Sequence, residues 1–191
     1  MSSENINRSA PFMLSNGGTV RSVSVLLYDP ELGFMLTEEE RKGFPDPSVK
    51  TLNTHPVGGK VDDTDKSPFY TGLREFCEEV DYTLEGYNIE ETVCLLLEAF
   101  EPATKRYKDI LVSKPKNLYN RFYIVNISEV LDEEIRMSLY NKIQNWRTKP
   151  GSVLRRVFFW KRGDEMRVSP SSLMENLLKN LPNESKCSKR R

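Results

Sequence analysis

From Val20 onward the spacing of apolar residues alternates between the two-residue period of a strand and the 3.6-residue period of a helix. Val20–Tyr28, β-branched at Val20, Val23 and Val25, predicts a strand. Asp29-Pro30-Glu31-Leu32-Gly33 predicts a turn, and Phe34–Thr37 a returning strand. Residues 41–56 hold three prolines and few apolar side chains, which predicts a long loop. Ser67–Val80 predicts a helix, with Phe69, Leu73, Phe76, Cys77 and Val80 as its buried stripe. Val93–Phe100 and Arg121–Ile127 read as strands separated by a basic loop from Ala103 to Asn120. Leu131–Trp146 predicts a second long helix, Val153–Trp160 a strand, and Ser169–Leu181 a last amphipathic helix with Pro170 in its first turn. Elements in this order imply an α/β/α sandwich around a mixed β-sheet.

Length makes that sandwich one domain rather than two, because 191 residues suit a single core with added loops. The domain is expected over residues 19–182, after a Ser-, Asn- and Gly-rich lead-in at 1–18 and before a basic tail at 183–191. Lys186, Lys189, Arg190 and Arg191 in that tail read first as a solvated terminus and second as a nuclear-localisation patch. An apolar fraction of 38% can furnish a core. The 28 basic and 28 acidic residues cancel, so global charge directs the chain neither to nucleic acid nor to a membrane. Cys77, Cys94 and Cys187 are scattered, with no metal-ligand spacing to the single His55, and fit a reducing compartment. The polar N-terminus and the short apolar runs give no signal peptide and no membrane span. The expected location is the cytoplasm, with the nucleus as the alternative.

The chemistry is concentrated between Gly58 and Tyr82. Ser67 is a suitable N-cap, and Pro68 follows at the first helical position, where its missing N–H does no harm. Glu75, Glu78 and Glu79 fall at i, i+3 and i+4 and share a face away from the apolar stripe. Three like charges there call for a cation, and hard divalent ions take carboxylate oxygens together with substrate phosphates. Upstream, Gly58-Gly59 allows a close backbone approach. An ordinary solvated acidic face and an ordinary turn are the plain readings of these two features taken separately.

Together they resemble the Nudix box, G-x5-E-x7-R-E-U-x-E-E-x-G-U, where U is a bulky apolar residue. Gly59 matches the first Gly; Arg74, Glu75, Phe76, Glu78 and Glu79 match the R-E-U-x-E-E core; Tyr82 matches the final U. The sequence departs in three places. Asp65 replaces the first Glu, eight residues rather than seven separate it from Arg74, and Asp81 stands where the family has Gly. Asp tolerates the left-handed conformation of a helix stop better than most residues.

The resemblance implies a Nudix-like α/β/α sandwich and a Mg²⁺-dependent pyrophosphohydrolase, with Mn²⁺ as the alternative ion. It implies Glu75, Glu78 and Glu79 as metal ligands with the Gly58 carbonyl as a further one, Arg74 orienting a neighbouring carboxylate, and Asp65 supporting the loop. Glu75, Arg74 and Glu78 are the expected catalytic set. Glu129, Glu133 and Glu134 are candidates for a general base from a later loop. Lys60, Arg106, Lys114, Lys116, Tyr119 and Arg121 are the expected substrate contacts, since basic and aromatic side chains together hold phosphates and stack a base. The aromatics of Arg155–Arg162 read as core. The expected partner is a small molecule linked through a nucleoside diphosphate, of the ADP-ribose or dinucleoside polyphosphate class. A capped RNA 5′ end (decapping) is the alternative substrate, and a non-catalytic nucleotide- or RNA-binding module the alternative class.

Overall fold

Val20–Tyr28 lies in the central strand. β1 (Thr19–Asp29) is flanked along most of its length by β6 (Leu118–Asn126) in parallel, from Thr19↔Leu118 to Tyr28↔Asn126. The structure, a computed structural model, describes residues 12–43 and 45–181; the side chains of residues 105–107 are outside that description, as are Phe44, the first eleven residues and the basic tail. β5 (Lys105–Ser113) extends the sheet beyond β6. β1 and β2 (Gly33–Lys42) pair only beside their turn, at Tyr28↔Phe34 and Asp29↔Gly33. Beyond that point they part. β3 (Lys50–Pro56) pairs with β2, and three-residue β4 (Gly58–Lys60) crosses over to pair with β1, so this segment wedges into the opening. β7 (Leu154–Trp160) covers the other side of β2.

Alternation along β1 builds two cores. Val25 and Leu27 point to one face, under α1 (Pro68–Val80), α2 (Ile89–Phe100), the short α3 (Ile127–Val130) and α4 (Glu133–Gln144). Leu26 and Tyr28 point to the other, where Met174, Leu177 and Leu181 close the layer from α5 (Ser172–Asn180) and its end. The result is the expected α/β/α sandwich with a mixed sheet. α1 sits tightly on β1 because Gly72 faces it: a Cβ there would stand 2.4 Å from Val25 Cγ2. All five residues of the expected stripe on α1 are buried. No helix among the described residues is long and apolar enough to cross a membrane.

Four expectations need correction. Residues 41–56 contain β3, because Lys50–Pro56 takes its order from β2 rather than from its own weak apolar pattern. Val93–Phe100 is helical, not extended. The signal was upstream: Asn88 accepts from the Glu91 amide while the Glu91 carboxylate accepts from the Asn88 amide, a reciprocal capping box that starts α2. The basic loop after Ala103 is largely β5, held by β6 as an edge strand. Pro170 precedes α5, bridging Thr54 in parallel, and Ser171 is the N-cap. In the lead-in, Phe12 is buried against Val20 and Val23.

Candidate active site

Where β1 and β2 part, α1 lays its acidic face over β4. The helix begins as its sequence requires: Ser67 Oγ accepts from the Tyr70 amide, with Pro68 inside the first turn. It ends at Asp81, at φ 57° and ψ 47°, with its amide bonded to the Cys77 carbonyl. Asp thus occupies the left-handed stop itself, and Lys149 and Lys142 pair with its carboxylate at 2.9 and 3.5 Å.

Arg74 organises the face between these caps. Its Nε donates to Asp65 Oδ1 at 2.8 Å and its Nη2 to Asp65 Oδ2 at 2.9 Å, a bidentate pair. Nη1 donates to Glu75 Oε1 at 2.9 Å and Glu78 Oε2 at 3.0 Å, and Nη2 also reaches the Lys60 carbonyl at 3.1 Å. Asp65 is closed off from solvent and further accepts from the Asp62 amide and the Thr71 hydroxyl. Burial alone would raise its pKa. The Arg74, Asp62 and Thr71 hydrogen bonds outweigh burial and hold it below the ordinary carboxylate range. The extra residue of spacing lies between Asp65 and Arg74; ahead of it, Asp62 Oδ1 accepts from the Thr64 amide and hydroxyl and closes the turn that leads into Asp65.

Glu75 rests on Gly59, where a Cβ would stand 2.2 Å from its carboxylate carbon, so only glycine admits this approach. Burial raises the pKa of Glu75 against the opposing pull of Arg74. Glu79 is pushed up to about 8, first by burial, then by the negative charges of Glu39 and Glu75. Its Oε2 is cut off from solvent and has no hydrogen-bond partner.

Glu39 was missed by sequence reasoning, which placed β2 no further than Thr37. Met35 belongs to the core under α1, and alternation puts Thr37 and Glu39 on that same face. Glu39 is 2% exposed; Arg41 Nε donates to its Oε2 at 2.8 Å, and its Oε1 has no partner. The available signal was the continuation of the strand pattern into a charged stretch. Glu38 points to the other face, buried between Arg156 and Arg167.

Among the described residues no three His, Cys, Asp or Glu side chains are already arranged to hold a metal ion, and Arg74 occupies one oxygen each of Glu75 and Glu78. The remaining chemistry fits a cation nonetheless. Two buried carboxylate oxygens lack partners, and three carboxylates stand close enough for their charges to oppose one another's ionisation.

The other expected residues are dispersed. Lys60 is exposed on β4 next to Gly59. Lys114 and Lys116 are exposed in the β5–β6 turn, where Asn117 accepts from the Thr19 amide. That is four residues along β1 from the Val23↔Gly59 pair, roughly 13 Å of strand. Tyr119 accepts from Asn16 Nδ2, Arg121 is buried in a bidentate pair with Asp109, and the Arg106 side chain is outside the described part. Arg121 therefore belongs to a closed ion pair and not to an open basic track. Glu129, Glu133 and Glu134 are exposed beyond β6, beside the Tyr28 end of β1 and roughly 16 Å of strand from the Gly59 pairing.

No protein-family model matches the chain, and no curated protein matches it in sequence. Among solved structures it is similar to a Listeria monocytogenes protein assigned to the NUDIX hydrolases, with 10% identity and a TM-score of 0.45 over 84% of this chain and 90% of that one.

Proposed function

We propose that the chain is a Nudix-type hydrolase that cleaves the diphosphate linkage of a small nucleoside diphosphate derivative with the help of a divalent cation. The observation that carries this reading is the docking of α1 on Gly59. Arg74 gathers Asp65, Glu75 and Glu78 there, while Glu79 keeps a buried oxygen without a partner. Glu75, Glu78 and Glu79 would hold Mg²⁺ or Mn²⁺, with the Gly58 carbonyl as a further ligand. Such an ion supplies neutralisation of the diphosphate and activation of a water.

The chain's own contribution is positional. Asp65, closed off and fully hydrogen-bonded, fixes the guanidinium of Arg74, which in turn fixes Glu75 and Glu78. Exposed Lys60, on the same strand as Gly59, would meet a phosphate. Hydrolysis of ADP-ribose, dinucleoside polyphosphates and capped RNA, each with and without Mg²⁺, tests the reading. Mg²⁺-dependent release of a nucleoside monophosphate from a small substrate is expected. Glu78→Gln should reduce turnover by orders of magnitude with the fold intact, because a neutral amide holds Mg²⁺ poorly. Hydrolysis confined to capped RNA would assign decapping instead, and binding without turnover would make the chain a recognition module.

A further inference from the structure

Beside the carboxylate helix, β2, β3 and the start of α5 enclose a cleft of about 250 Å³. Its construction follows from the chain path. Pro170 bridges to Thr54 on the edge of β3, the Ser171 amide donates to the Thr54 carbonyl, and the chain turns there into α5. Ser171 thus stands where an extended segment becomes a helix, half-buried and lining the cleft. Its Oγ accepts from the Met174 amide at 3.2 Å and lies 2.8 Å from His55 Nδ1. A serine oxygen has one proton and two lone pairs, so the helix cap takes one lone pair and leaves the other, with the proton, unspent. The amides of Ser172 and Leu173 have no partner among the described residues, as a helix start leaves them. Glu39 lines the same cleft, 2% exposed, with Oε2 held by Arg41 and Oε1 unpartnered.

We propose that Ser171 is a nucleophile with His55 as its general base, and that this cleft hydrolyses small carboxylic esters through an acyl-serine, without a metal ion. The spacing is that of an activated hydroxyl: 2.8 Å falls within the roughly 2.6–3.2 Å over which a base takes a nucleophile's proton. With the imidazole proton on Nε2, Nδ1 accepts the proton of Ser171. Burial holds His55 below its ordinary value, against the pull of Glu39 and with the help of Arg41, so the ring is neutral at pH 7 and able to act as a base. Once the ring is protonated, the buried charge of Glu39 stabilises it. In the first step Ser171 Oγ bonds to the ester carbonyl carbon, its proton passes to His55 Nδ1, and the carbonyl π pair moves onto oxygen. The open amides of Ser172 and Leu173, at the positive end of α5, are the donors for that oxyanion. The pair then returns, the bond to the alkoxide leaving group breaks, and His55 delivers the proton to it. Water attacks the acyl-serine in the same way, with His55 taking its proton and returning it to Ser171 Oγ. The lining also limits the acyl group. Leu173 is its one apolar side chain among the described residues, and the volume lies below the roughly 300–1,000 Å³ of clefts that enclose a drug-sized ligand, so a short acyl group fits and a long chain finds no cover.

The test uses the full chain in EDTA, where metal-dependent hydrolysis is silent. The probes are p-nitrophenyl acetate, p-nitrophenyl octanoate and a fluorophosphonate, which phosphonylates activated serines. Wild type should release a burst of p-nitrophenolate from the acetate, stoichiometric with the protein, and the fluorophosphonate adduct should map to Ser171 in peptide mass spectra. Ser171→Asn keeps a side-chain cap on α5, so its urea midpoint should stay near that of wild type while the burst and the adduct vanish. His55→Gln should slow the labelling of Ser171 by about 100-fold or more, the scale of a lost general base. The octanoate should react more slowly than the acetate. No labelling, an adduct on another residue, or equal labelling rates in wild type and His55→Gln would overturn the proposal and leave Ser171 a helix cap. An octanoate reaction as fast as that of the acetate would place the chemistry outside the cleft and overturn it too. Mg²⁺-dependent cleavage of diphosphates should persist in Ser171→Asn, so the two activities stand or fall separately.

Discussion

A methyl group added at Gly59 would meet the carboxylate of Glu75, whereas one added at Gly58 would meet the Val23 carbonyl at 2.2 Å and the Ser24 Cα at 2.6 Å. The first obstacle is the end of a flexible side chain and the second is backbone, so the two substitutions should separate. Gly59→Ala should leave the urea midpoint nearly unchanged and still cut Mg²⁺-dependent turnover at least about tenfold, because Glu75 must move, and positional errors of this size are costly in catalysis. Gly58→Ala should lower the unfolding midpoint itself. Glu79 gives the second prediction at this scale. Its pKa of about 8 in the folded chain lies above the ordinary 4.5, so the folded state binds that proton more tightly. The contribution is fully present below about 4.5 and is lost as pH rises toward about 8. His55, held below 6.5 by burial, works in the opposite sense. The comparison is therefore with Glu79→Gln, which should melt higher than wild type at pH 8 without metal and show a smaller loss between pH 5 and 8. Each kcal/mol is worth about 2–4 °C for a chain of this size. Equal pH profiles for the two proteins would show that Glu79 ionises freely.

At the scale of elements, α1 could be read from sequence almost residue by residue because its signals are local. An N-cap, a proline at the first position, a repeating apolar stripe and a left-handed stop all lie within Ser67–Asp81. Phe76 is 1% exposed in that stripe. Phe76→Ala should cost about 3–5 kcal/mol in chemical unfolding. A change near 0.5 kcal/mol, usual for surface positions, would mean that the opposite face of α1 is the buried one. α2 was misread for a different reason. A continuous apolar run does not separate a buried strand from a buried helix, and Asn88 and Glu91, which decide it, precede the run. Asn88→Ala should therefore cost about 0.5–2 kcal/mol. β3 and β5 were not legible because their order comes from partners distant in sequence: β2 and Pro170 for β3, β6 for β5. The same limit hid Glu39. Its place in the site depends on β2 continuing past Thr37, and that depends on the pairings with β3 and β7.

Across the whole molecule, the balance of 28 basic and 28 acidic residues is mirrored by how the charges are placed. Arg74 is taken up by buried Asp65 and buried Arg121 by half-buried Asp109, Arg156 and Arg167 share Glu38, Lys50 and Arg155 share Glu40, and Lys142 and Lys149 share Asp81. Such pairs leave a short phosphate-binding patch better provided for than an extended basic surface, and long RNA calls for the latter. Lys114 and Lys116 are the informative exception. They are exposed, have no ion pair among the described residues, and lie roughly 13 Å of strand from the Gly59 pairing. A small substrate whose diphosphate sits at Gly59 does not extend to them through its phosphates. An RNA chain leaving the same site reaches that distance within a few nucleotides. Replacing both lysines by Ala should therefore leave kcat/KM for a small nucleoside diphosphate derivative within about twofold and its dependence on salt unchanged. If the substrate is RNA, the same change should weaken binding across sequences and flatten the plot of log affinity against log salt by about 0.7 per lost contact on a single strand. Measuring the double variant and wild type from 50 to 300 mM salt, on about a sixfold range that resolves such a slope, decides between them. A flattened slope on capped RNA, with no hydrolysis of small diphosphates, would overturn the small-substrate reading.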